Sequence, residues 1–185
     1  RFCVFCVHDY CKYNVLKGIM YYTVLKIFND IFDFMKITPR TITWFSLFKL
    51  PLVFLSGIRL KSLQNGEAVV VVRHRWINQN PFRSMFWAVQ GMAAELATGV
   101  LLLDAIEKRK SSVSMLLIQT EATFSKKATG LIHFKCAQGR DAELLIDAAL
   151  ESGQGEAAWL ECSGVDATGQ QVCHFRFYWS VKRKN

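Results

Sequence analysis

The sequence predicts an α+β fold in which a curved antiparallel sheet wraps around one long helix. Residues 80–99, NPFRSMFWAVQGMAAELATG, form a helical segment that is more apolar than the surface helix of a globular protein. Segments with the apolar–polar alternation of strands lie on both sides of it. A helix this apolar must be enclosed by other elements, and a curved sheet of about five strands can enclose it.

The elements are predicted in the order strand, long helix and then four strands. Before them, residues 42–58 are rich in aromatic side chains, and Pro51 interrupts any helix there. This segment is either an interfacial membrane anchor or a short helix that covers the core, and the lack of a basic polar face favours the covering helix. Strands are predicted at 66–76, 112–124 (mostly buried), 129–139, 156–165 and 170–182, with a short amphipathic helix or crossover at 140–153 and a hairpin turn at DATG.

Alternation assigns side chains to the two faces of the last strands. One face of the final strand carries only apolar side chains and a thiol: Cys173, Phe175, Phe177, Trp179 and Val181. Three cysteines, Cys136, Cys162 and Cys173, lie in apolar strand segments and are predicted to be buried thiols. Free thiols are typical of a reducing compartment, so a cytoplasmic location is expected.

Residues 1–34 differ in character from the rest of the chain. Charged side chains interrupt each of their apolar runs, which disfavours a membrane span. Cys3, Cys6 and Cys11 lie near His8, but no second ligand pair with zinc-site spacing follows, so no metal site is expected. We therefore predict an N-terminal extension over 1–34 and one domain over 35–185.

The charge balance favours an anionic partner. The 185 residues are 51% hydrophobic and carry a net charge of +8, which suits a phosphate-bearing ligand, nucleic acid or an anionic membrane. Nucleic acid is disfavoured because the strands lack the exposed aromatic and basic motif of single-strand binders. Residues 85–103 are long enough to cross a bilayer, but Glu95 in their middle would cost a few kcal/mol there, so no integral membrane span is expected.

Two polar residues of the long helix are candidates for chemistry. At 3.6 residues per turn, Glu95 falls in a stripe of small side chains on one face of the helix. Poor solvation there would raise the proton affinity of its carboxylate, which suits a general base. The alternative is that Glu95 is a structural, hydrogen-bonded carboxylate. Asn80 before Pro81 matches an N-cap. Alternatively, the helix begins later, with Ser84 as its cap, and Asn80 lies in a loop beside free backbone N–H groups.

The segments NPFRSMFWAVQGMAAELATG and SMLLIQTEATFSKKATGLIHF, with one central helix and this strand order, resemble the hotdog fold. Within it they resemble an uncharacterised family of the thioesterase superfamily, related to the phenylacetyl-CoA thioesterase group, over about residues 36–182. In that group an Asn precedes the helix and an acidic residue follows fifteen positions later, as Asn80 and Glu95 do here. The resemblance implies a homodimer or a dimer of dimers. Glu95 of one chain would then lie near the helix start of the other.

The resemblance also implies hydrolysis of a fatty- or aryl-acyl-CoA thioester, with no cofactor. Glu95 would activate water or attack directly, Asn80 would orient water or substrate, and backbone N–H groups at the helix start would stabilise the oxyanion. The group has His-Gly-Gly at the helix start, where this chain has Phe86, Trp87 and Ala88. This departure leaves a non-catalytic acyl-CoA or lipid-binding protein of the same fold as the alternative.

Substrate contacts are expected from three places. They are the helix start, the small stripe and the turn after residue 124, with the residues Ser84, Phe86, Trp87, Gly91, Lys126 and Lys127. Bulky Phe86 and Trp87 would shape an acyl pocket. Lys126 and Lys127 would meet CoA phosphates as point charges, or lie in a solvated turn, which is equally favoured.

Overall fold

The computed structural model describes residues 36–184. Their helices are α1 (Pro39–Lys49), α2 (Pro51–Leu55), α3 (Trp87–Arg109) and α4 (Gly139–Ser152). Their strands are β1 (Arg59–Gln64), β2 (Glu67–Arg73), β3 (Val113–Phe124), β4 (Leu131–Cys136), β5 (Gly155–Val165) and β6 (Gln171–Arg183). The predictions for residues 1–34, including those for Cys3, Cys6, His8 and Cys11, lie outside the described residues.

The strands form one antiparallel sheet in the order β1-β2-β4-β5-β6-β3. Helix α3 runs along the inner face of this sheet, and its buried residues join those of the strands in one hydrophobic core. The predicted fold class is therefore confirmed: this is the hotdog arrangement of a curved sheet around one long helix.

Helix α3 has the length and hydropathy of a membrane span, but most of it is buried within the protein. Its most apolar 18-residue window has a mean hydropathy of 1.4, and 61% of that window is buried. Within the described residues no other helix is both long and apolar enough to cross a bilayer. A core helix needs apolar side chains on several faces because the sheet and other helices surround it.

The two helices before the sheet meet at Pro51, as predicted. Thr38 caps α1 through a hydrogen bond from the Thr41 N–H to its hydroxyl, and Pro51 occupies the first turn of α2, where a missing N–H is tolerated. Ile42 of α1 and Val53 of α2 are buried in the core. This burial supports the interpretation of the segment as a covering helix.

Period-two alternation correctly predicted the faces of the strands. The predicted apolar face of β6 is buried, and in β4 the same alternation buries Ile132, Phe134 and Cys136. Cys136, Cys162 and Cys173 are free and buried, as predicted. Burial raises the pKa of the Cys136 thiol to about 11 and that of Cys173 to about 12.

Two features of the sheet differ from the prediction. Strand β1 was not predicted, because Leu60 is its one buried residue and a bulge between Leu60 and Ser62 interrupts its alternation. Strand β3 was predicted to be mostly buried, which is wrong for the single chain: none of its residues is fully buried, and Leu116 and Ile118 are exposed. The physical reason is its position, since β3 lies at a sheet edge and pairs only with β6 within the described residues.

The segment predicted at 140–153 is a helix, one of the two predicted possibilities, and it spans Gly139–Ser152. Helix α4 ends at Ser152, and the following Gly153 adopts the left-handed conformation common after a helix. Arg109, at the end of α3, pairs with Asp147 of α4 and donates from Nη2 to its Oδ2 at 2.6 Å. This ion pair ties the last turn of the central helix to the helix beside it.

Candidate functional site

A cleft of about 510 Å³ opens at the start of α3, between residues 80–90 and the segment 124–128. We call it the helix-start cleft. Six of the eight predicted site residues line it: Asn80, Ser84, Phe86, Trp87, Lys126 and Lys127. Gly91 and Glu95 lie further along α3 and do not line it.

Backbone hydrogen bonds fix both walls of this cleft. The buried side chain of Asn78 donates from Nδ2 to two backbone carbonyls at 3.1 and 2.9 Å, and the backbone carbonyl of Asn78 accepts from the Phe86 N–H at 2.8 Å. On the other side, the Met85 N–H donates to the Ala128 carbonyl at 2.8 Å. The loop before the helix and the segment 124–128 are therefore held in place by the fold itself.

Asn80 shapes a turn and does not cap the helix. Its Oδ1 accepts hydrogen bonds from the Phe82 N–H at 2.9 Å and from the N–H and hydroxyl of Ser84, both at 3.2 Å. Arg83 in this turn has a left-handed φ of 57°. Helix α3 begins only at Trp87, with extended Phe86 as its N-cap. The predictions of Asn80 or Ser84 as N-cap are therefore wrong, and the alternative that Asn80 lies in a loop before a later helix start is confirmed.

The first turn of α3, which begins beside the cleft, has backbone donors without a side-chain cap from the described part of the chain. No side chain of the described residues caps this helix, so the N–H groups of Trp87 and Ala88 lack the partners that a cap would supply. The N-terminus of a 23-residue helix also carries a partial positive charge. This combination suits an electronegative atom, such as a carbonyl oxygen that gains charge.

Glu95 lies eight residues after Trp87, which is about 12 Å along the helix axis. Its side chain is exposed in the single chain, although surrounding protein removes enough water to raise its pKa above the ordinary value. This direction agrees with the predicted rise in proton affinity, but the packed surroundings that were predicted for Glu95 are not present in the single chain. Within one chain Glu95 does not line the helix-start cleft. A reaction that uses both Glu95 and the cleft therefore requires a second subunit.

The small stripe of α3 packs against aromatic rings of β6. A Cβ placed on Gly91 would lie 3.6 Å from the Phe175 ring, and one on Gly99 would lie 3.8 Å from Trp179. The Trp179 indole Nε1–H donates to the Thr98 hydroxyl oxygen at 3.1 Å. At these positions the close approach predicted for the stripe is made by β6. A substrate contact at Gly91 stays a prediction.

The two lysines of the 124–128 segment have different surroundings. Lys126 Nζ donates to Asp166 Oδ2 at 2.8 Å and to Gln170 Oε1 at 2.6 Å, which ties the segment to the β5–β6 hairpin. The hydrogen bond from Lys126, followed by one from Thr168, holds the pKa of Asp166 well below its usual range. Lys127 is exposed and has no ion pair within the described residues. Lys127 is therefore the lysine whose charge is available to a ligand.

Gln90 is a cleft residue that the sequence reasoning missed. Its side chain is 5% exposed and lines the helix-start cleft. The amide Nε2 donates to the Met85 carbonyl at 3.1 Å, while Oε1 is buried without a partner among the described residues. The available signal was a glutamine within an otherwise apolar stretch, since glutamine is seldom buried without a reason.

Within the described residues, no group of three His, Cys, Asp or Glu side chains could hold a metal ion. The donors at the helix-start cleft are backbone N–H groups, amides and lysines, which recognise oxygen acceptors and anions.

Residues 38–181 match the model of a protein family described as Domain of unknown function (DUF4442). The chain belongs to this family. The match runs from the start of α1 into β6, so the helix-start cleft and Glu95 both lie within the DUF4442 domain. No curated protein matches the sequence.

Solved structures share the fold at low sequence identity. A protein from Pseudomonas aeruginosa named a probable thioesterase is 20% identical, with 82% of this chain and 99% of that chain covered and a TM-score of 0.70. A thioesterase from Haemophilus influenzae is 9% identical, with 81% and 94% covered and a TM-score of 0.59. A thioesterase from Staphylococcus aureus is 11% identical, with 71% and 98% covered and a TM-score of 0.55. These likenesses establish the hotdog fold for the DUF4442 domain.

Proposed function

We propose that the protein hydrolyses an acyl thioester carried on CoA. The observation that carries this proposal is the cleft at the start of α3, a helix whose first N–H groups, those of Trp87 and Ala88, have no side-chain cap among the described residues. These groups would donate to the thioester carbonyl oxygen and stabilise the negative charge that it gains when water attacks. The thiolate of CoA then leaves, and the acid product is released.

Glu95 is the proposed general base. Its raised pKa improves its ability to take a proton from water, because the most effective base has a pKa close to the working pH. Asn80 would orient that water or the substrate through Nδ2, since its Oδ1 already accepts three hydrogen bonds within the loop. In the S. aureus thioesterase, solved variants replace a glutamine and a glutamate that are also fifteen residues apart.

The proposed enzyme is a homodimer, because Glu95 lies too far along α3 to reach the cleft of its own chain. The edge strand β3 is the proposed contact: it is 12 residues long and exposes Leu116 and Ile118. A long apolar edge strand readily pairs with a second chain. Pairing through β3 would bring Glu95 of the partner subunit towards the helix start of the first.

The alternative is a non-catalytic acyl-CoA or lipid-binding protein. The exposed apolar rings at the cleft favour it, since Phe86 and Trp87 are 43% and 60% exposed and could hold an acyl chain without chemistry. A hydrolysis screen over acyl-CoA chain lengths separates the two functions. Tight binding without turnover would support the binding protein.

Glu95→Gln is the direct test of the catalytic role. It keeps the shape of the side chain and removes its basicity, so kcat should fall by about 100-fold or more while affinity for the acyl-CoA stays nearly constant. Glu107→Gln, the same substitution on the same helix, is the matched control and should keep full turnover. Equal turnover of the Glu95 and Glu107 variants would exclude Glu95 as the base.

The dimer has its own test. Ile118→Lys places a charge on the exposed edge and should convert the dimer to monomer in sedimentation or light-scattering measurements. Leu144→Lys is the matched control, because Leu144 is similarly exposed, at 49%, but lies on α4. If both variants stay dimeric, β3 is not the interface.

A further inference from the structure

A second pocket lies on the outer face of the sheet, opposite the central helix. It has a volume of about 330 Å³ and is lined by β1, β2, β4 and the β5–β6 turn. We call it the outer-face pocket. Its floor contains Val69, which is 7% exposed although it points away from the core side chains Ala68 and Val70 beside it. This pocket belongs to neither the helix-start cleft nor the core.

Three nitrogen bases converge on this pocket. His133 and Lys135 alternate with the buried side chains of β4 and so face outward. On β1, the bulge between Leu60 and Ser62 leaves Lys61 without a cross-strand partner, and such bulges redirect side chains. Lys61 Nζ lies 3.5 Å from His133 Nε2 although the two strands are separated by β2.

The lysines of this pocket are not neutralised by ion pairs with residues that the structure describes. Elsewhere on the same face, Arg176 pairs with Glu121 and Glu161. Lys61 and Lys135 have no ion pair within the described residues. The pocket also contains two carboxylates, but Asp166 is neutralised by Lys126 and Glu67 pairs with no cation there. A concave site with two unpaired ammonium groups and an imidazole favours an anion.

We propose that the outer-face pocket binds a phosphate group, held by Lys61, His133 and Lys135. Both lysines would donate charge-assisted hydrogen bonds to phosphate oxygens, and protonated His133 would add a third. The source is either inorganic phosphate or the phosphate of a nucleotide, since both present the same oxygens. This site is separate from thioester hydrolysis, and its occupation does not depend on Glu95.

The protonation of His133 reports on such a ligand. Burial, followed by the charges of Lys61 and Lys135, lowers the pKa of His133. A bound phosphate opposes the effect of the lysines, so it raises the pKa of His133, and by linkage the protonated form of His133 binds a given phosphate species more tightly than the neutral form does. Glu67 and Asp166, the carboxylates that line the pocket, act against the phosphate, and the ion pair of Asp166 with Lys126 reduces that repulsion.

The test is an NMR titration of the histidine side chains of the full chain, with His133→Gln used to assign the signal. Inorganic phosphate should raise the His133 pKa by about half a unit or more, while chloride at equal ionic strength should not. Adenosine 3′,5′-bisphosphate is the second probe. A larger effect from it identifies a nucleotide phosphate, and an equal or smaller effect identifies inorganic phosphate as the ligand.

Variants locate the site. Lys61→Ala and Lys135→Ala should each weaken phosphate binding about tenfold, the loss expected for a charge-assisted hydrogen bond. Lys182→Ala is the matched control, because this exposed lysine lies near the end of β6 and lines neither the outer-face pocket nor the helix-start cleft, so the variant should bind phosphate as the native chain does. An unchanged His133 titration, an equal effect of chloride or an equal loss in the Lys182 variant would each overturn the proposal.

Discussion

Thr98→Val should destabilise the domain by about 2 kcal/mol, although the two side chains have nearly the same shape. Thr98 is fully buried at the contact between α3 and β6. Its hydroxyl oxygen accepts from Trp179 Nε1–H at 3.1 Å and donates to the Glu95 carbonyl at 3.0 Å. Valine removes both hydrogen bonds and leaves the indole N–H of Trp179 buried without an acceptor.

The size of the stability loss depends on which group is left without a hydrogen-bond partner. A buried donor without a partner costs about 1–3 kcal/mol. The Glu95 carbonyl loses less, because an α-helix gives it a second donor four residues later, at Gly99. For a domain of this size, a loss of about 2 kcal/mol lowers Tm by about 4–8 °C.

A double-mutant cycle in urea separates this hydrogen bond from general packing. In a Trp179→Phe background no indole N–H remains, so Thr98→Val should cost only about 0.5 kcal/mol there. Thr98→Ser keeps the hydroxyl and should lose only about 1 kcal/mol, the value of one buried methyl group with its small cavity. If Thr98→Val costs the same in both backgrounds, the indole–hydroxyl bond does not stabilise the contact.

Two further predictions concern the first residue of α4 and the pH dependence of stability. Gly139→Ala should destabilise the domain by about 1–3 kcal/mol in chemical denaturation, because its Cβ would lie 2.4 Å from the Gly66 Cα. Gly155→Ala is the control, since nothing lies within 4 Å of a Cβ at that position. Equal losses of stability in the two variants would contradict a steric clash at Gly139. For Glu95, the raised folded-state pKa means that its stability contribution is present below the ordinary value of 4.5 and is lost as the pH rises through the folded pKa. Glu95→Gln should therefore raise Tm at neutral pH and leave it unchanged below about pH 4, and a lower Tm at neutral pH would contradict this sign.

The inward faces of the sheet could be predicted because alternation is a direct consequence of burying one face. In β6 each apolar side chain from Cys173 to Val181 is buried, and the pattern is visible without the structure. The central helix was equally visible from its apolar length. Both predictions depend on local sequence and on burial within one chain.

The start of the central helix was not predictable from the same signals. Asparagine followed by proline is typical both of a helix N-terminus and of a turn, because Pro81 restricts φ and the Asn80 side chain can accept from nearby N–H groups in either case. The turn forms here, with an isolated β-bridge between Gln79 and Met85. Tertiary hydrogen bonds from Asn78 decide the outcome, and these are not visible in a local pattern.

Strand β3 and Glu95 are exposed in the single chain, although the sequence predicts both to be poorly solvated. The proposed dimer explains both with one contact, and it also accounts for the exposure of Trp87. Pairing along β3 would cover Leu116 and Ile118, and it would place apolar surface against the helix start and remove further water from Glu95. Dimerisation would then raise the pKa of Glu95 further. The Glu95 titration should therefore move to lower pH in Ile118→Lys, which is expected to be monomeric, and stay at the native position in Leu144→Lys, which is expected to be dimeric. An identical titration in the two variants would show that Glu95 lies away from the subunit interface.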